Sequence, residues 1–218
     1  MSVLVPHIIL NNTFLLSHNR CIFWQEERIL ILSDLHLGKS GHFRKSGIAI
    51  PQAVFKEDMQ RLVTLLQLFN PAKVIIIGDM FHSSSNKEHE FFLKWRQDFP
   101  LLPIHLVKGN HDILKEDWYA LADITLHKCE LQIGPFVFVH DFKDCTIPDS
   151  GYIFSGHIHP GITMRGAGRQ SLHFPCFYFA INYAVLPAFS KFTGTYTIEP
   201  KAGENVFALV EQTVVKIR

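Results

Sequence analysis

The chain of 218 residues has little cysteine, and what it has is scattered. Cys21, Cys129, Cys145 and Cys176 form no CxxC pair, which argues against a zinc-knuckle framework and suits buried free thiols in a reducing compartment. An excess of either charge is missing too. With 21 Lys and Arg against 20 Asp and Glu, there is no global field for nucleic acid and no acidic tail, so any electrostatic steering of a substrate is local. No apolar run approaches the roughly 18–20 residues that span a bilayer, and the opening MSVLVPHIILNN lacks a basic leader and a small-residue cleavage site. A cytoplasmic protein with no membrane segment is expected. Repeats, low-complexity tracts and linker-like stretches are also absent, so residues 1–218 read as one domain with 47% hydrophobic content to build a core. Histidine is plentiful, at 13 residues, and imidazole serves both metal ligation and proton transfer near neutral pH.

Short apolar runs at 13–16, 21–24, 29–32, 74–77, 104–107, 136–139 and 152–154 predict strands. Those at 29–32 and 74–77 are continuous enough for central strands covered on both faces. Helical spacing of apolar residues predicts helices over 52–69, after Pro51, and 87–98, with Ser83 to Asn86 as candidate caps. The C-terminal third reads as strands at 171–174, 176–179 and 182–186 and a closing hairpin of 206–210 with 213–217. The class is α/β with two packed sheets, parallel pairing mostly in the first half and antiparallel hairpins in the second.

Five polar clusters each follow one of these strands: Asp34-Leu35-His36, Gly78-Asp79, Gly109-Asn110-His111-Asp112, His140-Asp141 and Gly156-His157-Ile158-His159. Strand ends are where α/β sheets place ligands. In extended backbone Asp34 and His36 share a face, as do His157 and His159. The glycines permit tight turns and close approach of backbone to whatever is bound. A single strand-end Asp or His is ordinarily a turn former, but Ser, Asn or Pro would serve five turns as well as His does. Asp34, His36, Asp79, Asn110, His140, His157 and His159 form a mixed oxygen and nitrogen donor set suited to Mn, Fe or Zn. Seven donors exceed one tetrahedral ion and fit two adjacent ions, with Asp79 the candidate bridge.

The ordered series DLH, GD, GNHD, VHD and GHIH resembles the calcineurin-like metallophosphoesterase superfamily across nearly the whole chain. The resemblance implies a four-layer α/β/β/α sandwich with a dinuclear centre at one edge. It assigns Asp34, His36 and His159 to one metal, Asn110, His140 and His157 to the other, and Asp79 to both. DLHLGKSGHFRKSGIAIP, HPG at 159–161, LHFPCF at 172–177 and LPAFSKFTG at 186–194 are similar to the DNA-ligase-associated branch. That likeness implies a phosphodiesterase or endonuclease working with a DNA ligase, a helicase and a nuclease in DNA repair. His82 stands where many relatives carry Asp or Arg, which leaves its role open.

Two divalent cations, Mn favoured, would activate a shared water in line with the leaving group, so no Ser or Cys nucleophile is required. His111, beside the donor Asn110, is the candidate general acid. Asp112 is either an acceptor that orients an imidazole or the N-cap of a helix over 113–122, and Asp141 has a comparable orienting claim. Lys39, Arg44 and Lys45, with His42 among glycines, form a basic loop able to meet phosphate oxygens, and Phe43 a base. Arg165 and Arg169 read as solvent-exposed, with an opposite wall as the alternative. The leading function is hydrolysis of DNA or a related nucleotide phosphodiester. A phosphomonoesterase or nucleotide pyrophosphatase on the same site is the alternative, and a non-catalytic scaffold the third reading.

Overall fold

The computed structural model describes residues 4–37, 39, 53–81, 87–144, 151–166, 168 and 170–218. One sheet takes its strands in sequence order: β1 (Val5–Ile9), β2 (Asn12–Ser17), β3 (Cys21–Trp24), β4 (Ile29–Ser33), β5 (Lys73–Ile77), β6 (Ile104–Val107) and β7 (Ile124–His127). Pairing is antiparallel up to β4 and parallel from β4 to β7. The change follows from the connections. Turns of two to four residues join the early strands, whereas α1 (Ala53–Phe69), α2 (Lys87–Gln97) and α3 (Glu116–Leu121) lie in the crossovers between the later ones. The second sheet runs β14 (Tyr196–Thr197), β11 (Pro160–Arg165), β12 (Ser171–Phe179), β13 (Tyr183–Val185), β10 (Tyr152–Ser155), β9 (Phe136–Val139) and β8 (Glu130–Ile133), with the hairpin β15 (Asn205–Val210) and β16 (Thr213–Lys216) on β12. Strand β10 lies parallel to both β9 and β13.

Period-two alternation divides the core. Ile29, Ile31, Ile75 and Ile77 face the space between the sheets, while Leu30, Leu32, Val74 and Ile76 face the helices. Aromatic rings fill the first space, with Phe14 edge-on to Phe136 at 5.1 Å and Trp24 to Phe136 at 4.8 Å. Met59, Leu62, Leu65 and Leu66 of α1, Phe92 of α2 and Tyr119 of α3 fill the second. The outer face of the second sheet carries the 3₁₀ turn Phe142–Asp144, whose Phe142 stacks on Tyr183 over Val137, Val139 and Ile153. The fold is therefore an α/β sandwich of two mixed sheets, with its described helices on the first. Among the described residues, no helix is long and apolar enough to cross a membrane.

Two expectations change. The runs 171–174 and 176–179 are one strand, and Pro175, which has no N–H for a ladder, falls where β12 leaves β11 and begins to pair with β15. Strands β1, β7, β8, β11 and β14 are additional to the predicted runs. Sequences such as ITLH and ELQI alternate polar and apolar residues and make no continuous apolar stretch.

On edge strand β1, His7 packs its ring against Phe179 at 4.2 Å and Phe207 at 5.3 Å. Burial, with the Lys216 charge adding to it, pushes this imidazole from an ordinary 6.5 down to about 4. Between those values the unfolded chain binds a proton at this position and the folded chain does not, so stability falls as pH drops from about 6.5 to about 4. In His7→Phe the chemical-denaturation midpoint should decline less over that window. An unchanged slope would assign the acid sensitivity to other groups.

Candidate metal centre

The carboxyl ends of β4, β5, β6, β9 and β10 lie at one edge of the sandwich, because these strands run parallel within each sheet. The chain beyond them is not extended. Asp34, His36, Asp79, His157 and His159 have φ between +43° and +67°, in the left-handed region where Asp, Asn and His are enriched among non-glycine residues. Asp34 and His36 thus reach the same place by two left-handed residues separated by Leu35, and His157 and His159 do so around Ile158, rather than by extended alternation. Cross-strand amides hold this path: His36 N donates to Asp79 O (2.8 Å) and Leu37 N to Met80 O (2.8 Å).

The seven predicted donors converge in two groups. Asp34, His36 and His159 offer ligand atoms all within 4.8 Å of one another, and so do Asp79, His140 and His157. In the first, His36 Nε2 lies 3.3 Å from His159 Nε2, which is 3.5 Å from Asp34 Oδ1. In the second, His140 Nε2 lies 2.8 Å from Asn110 Oδ1, 3.0 Å from His157 Nδ1 and 3.5 Å from Asp79 Oδ2. Donors about 2.0–2.2 Å from a shared ion stand roughly 2.8–3.6 Å apart at right-angled to tetrahedral corners, so both groups fit a divalent ion. One buried atom supports that fit: Asp34 Oδ1, which faces the imidazoles of the first group, has no hydrogen-bond partner among the described residues.

Each carboxylate has a divided role. Asp34 Oδ2 accepts from the Ser33 hydroxyl and from His157 N (3.1 Å), leaving Oδ1 toward the imidazoles. Asp79 Oδ1 accepts from His111 N (2.9 Å), leaving Oδ2 toward His140. Burial pushes the Asp34 carboxyl up, but His159, His140 and the Ser33 hydroxyl together hold it below the ordinary carboxylate range. Close packing explains the glycines. A Cβ on Gly78, itself at φ +70°, would lie 1.9 Å from His140 Nδ1, and one on Gly156 would lie 2.3 Å from Asp34 Oδ2. These positions are crowded by neighbouring site side chains rather than by a bound ligand.

The surrounding residues take varied places. The His111 ring stands edge-on to His36 at a centroid distance of 5.8 Å. Asp112 accepts from Gly109 N (2.9 Å) and Phe81 N (3.1 Å), tying the GNHD turn to the segment after β5. It caps no helix: α3 begins after Lys115, with no side-chain cap, because the chain first turns through Ile113 and Leu114. Burial, with the Asp79 charge, pushes the Asp112 carboxyl up to about 7. Asp141 accepts from Lys143 N (3.0 Å) and has its other oxygen 3.9 Å from His157 Nε2. Lys39 is half-buried; burial lowers its ammonium pKa while the fields of Asp79 and Asp34 pull it back up. Arg165 ends β11 exposed to solvent. Arg44, Lys45, His42, Phe43, Arg169, His82 and the candidate caps 83–86 lie outside the described residues.

Two contributors escape a reading of the sequence. Ser33 directly precedes Asp34 and was readable as its neighbour, but only the fold gives its hydroxyl a carboxylate to serve. The carbonyl of Gly194 lies 3.3 Å from His159 Nδ1, a contact that places the ring proton on Nδ1 and frees Nε2. LPAFSKFTG carries no signal for that beyond its family likeness.

The family model described as calcineurin-like phosphoesterase matches residues 27–147. The chain belongs to this family. Those residues contain four of the five clusters, and GHIH follows them. Among solved structures, the phosphoesterase chain is similar to the Pseudomonas putida nuclease MPE, with a TM-score of 0.84 and 25% identity over 99% of this chain and 100% of that one. Among curated proteins it is 29% identical over 97 residues to a Danio rerio transmembrane protein with a metallophosphoesterase domain. That match takes in 43% of this chain and 19% of the fish protein, so the chain spans about a fifth of that relative's length.

Asp112→Ala should leave the Gly109 and Phe81 amides without their acceptor and cost about 2–6 kcal/mol, at roughly 1–3 kcal/mol for each buried amide left unsatisfied. Urea unfolding of chelator-treated protein checks this, and a loss below about 1 kcal/mol would show that the turn is held by other contacts.

Proposed function

We propose that this phosphoesterase uses two divalent metal ions to hydrolyse phosphodiesters of DNA or a related nucleotide, with residues 1–218 forming one domain. The observation that carries the reading is the pair of donor groups at one sheet edge, within a chain similar over its whole length to a nuclease. Asp34, His36 and His159 would hold one ion and Asn110, His140 and His157 the other, with Asp79 shared. Oxygen and imidazole donors suit Mn first, with Fe or Zn as alternatives. Two such cations supply charge neutralisation on the phosphoryl oxygens and activation of a water nucleophile.

The chain's own residues do the rest. His111, anchored through its amide to Asp79 and set beside His36, protonates the departing alkoxide. Lys39 extends its ammonium into the field of Asp34 and Asp79, where it meets a phosphate oxygen, and Arg44 and Lys45, which follow it in the sequence, are further candidates for phosphate contact. Asp112 holds the turn that carries His111, and Asp141 sets a carboxylate oxygen near the His157 imidazole. The nuclease likeness favours the diester over the monoester or pyrophosphate alternative on the same ions. A complete donor set argues against a scaffold. The subfamily segments support a cytoplasmic role beside a DNA ligase, a helicase and a nuclease.

With Mn loaded, the protein should cleave bis-p-nitrophenyl phosphate and single-stranded DNA; turnover of p-nitrophenyl phosphate alone would remove the nuclease assignment. His111→Ala should lower turnover roughly 10²–10⁴-fold with metal content unchanged. Asp79→Asn should lose metal as well. Equal metal loss in the two variants would place His111 among the ligands.

A further inference from the structure

Residues 186–194 form a strap across the junction of the two sheets, held chiefly by its main chain. Leu186 N donates to Ser155 O (2.9 Å), Phe189 N to Ser33 O (2.7 Å) and Ser190 N to Asp34 O (3.4 Å). It therefore joins the last residue of β10 to the last residue of β4, directly before the two stretches that carry His157, His159, Asp34 and His36. Farther along, the Thr193 hydroxyl donates to Ser190 O (3.2 Å) and Phe192 N to Ser190 Oγ (3.2 Å), folding the strap into a turn. That turn presents the Gly194 carbonyl to His159 Nδ1. One segment thus contacts the main chain of Asp34 and the imidazole of His159, both members of the first donor group.

Three successive strap carbonyls are gripped by two guanidinium groups. Arg20 donates to Ala188 O (3.2 Å) and Ser190 O (2.7 Å). Arg61, from α1, donates to Phe189 O, pairs with the buried Asp58 at 2.9 Å and lies over the Phe189 ring at 4.1 Å. Arg20 comes from the turn between β2 and β3, where it sits at φ +63°. Water satisfies most loop carbonyls, whereas here two cations from different parts of the fold are committed to adjacent ones.

We propose that Arg20 and Arg61 are positioning residues that, through this strap, set the metal affinity of the Asp34, His36 and His159 group in preference to that of the Asp79, Asn110, His140 and His157 group. The inference rests on the two-metal reading above. Partners outside a metal's own ligands typically tune affinity by about 10–100-fold, and Gly194 O is such a partner for His159. The guanidinium groups act one step farther out, by holding the carbonyl in place.

Arg20 is the residue to change, since Arg61 also forms an ion pair with the buried Asp58. Manganese titration followed by electron paramagnetic resonance reads both sites in the full chain. Wild type should take up two ions; Arg20→Met should keep one at wild-type affinity and bind the other about ten-fold or more weakly, giving the spectrum of an isolated ion where wild type gives a coupled pair. Arg20→Lys, which restores a donor, should fall between and serves alone if the Met variant does not fold. In a His36→Ala background, where one ion is expected, adding Arg20→Met should leave that ion's affinity unchanged. Equal weakening of both ions, no weakening of either, or a change in the His36→Ala background would overturn the strap's selective role. A wild-type chain that takes up no pair of ions would instead overturn the two-metal reading, and the same titration separates the two failures.

Discussion

Two carboxylates, Asp34 and Asp79, are buried at the ends of neighbouring parallel strands, and the architecture around them answers the cost of placing negative charge there. Each gives one oxygen to a main-chain amide of another loop, His157 N for Asp34 and His111 N for Asp79. The amide from His157 crosses from the second sheet to the first, so the charge that must be compensated is also what joins the sheets at this edge. The remaining oxygens face imidazoles whose nitrogens converge at separations suited to shared cations.

This compensation dictates the backbone. A carboxylate or imidazole projecting from a regular strand end would point out of the sheet face, not back across the edge toward the neighbouring strand. Left-handed conformations at Asp34, His36, Asp79, His157 and His159 redirect them, with strain on the order of 1–3 kcal/mol each that persists only where the surroundings over-determine the position. The surroundings do so here. Gly78 and Gly156 admit His140 and Asp34 into space that any Cβ would occupy, and Asp112 ties the GNHD turn to the chain beyond β5.

Much of the fold was legible because apolar runs mark their own burial. Cys21–Trp24, Ile104–Val107 and Phe136–Val139 are strands at the expected bounds, and α1 and α2 lie within a residue of the predicted spans. The less legible strands are those with one wet face, such as β8, whose burial alternates along Glu130–Ile133. At the site, the residue types and their order were readable; their conformation was not. An Asp-Leu-His stretch after a strand looks equally natural as extended chain or as two left-handed residues, and the choice comes from the Gly78–Met80 carbonyls that its amides meet across the sheet. Asp112 illustrates the same limit, since the chain turns through Ile113 and Leu114 and the helix expected after Asp112 begins only beyond Lys115.

The sequence by itself determined that this is an α/β protein with five polar strand ends bearing a donor set of oxygen and imidazole, because hydrophobic period and side-chain chemistry are local properties of the chain. Only the tertiary structure decided which oxygen of each carboxylate faces the imidazoles, and that the Gly194 carbonyl, thirty-five residues beyond His159, meets its Nδ1. Those are contacts between segments far apart in the chain, and they exist only once two sheets have packed and brought their carboxyl ends to one edge.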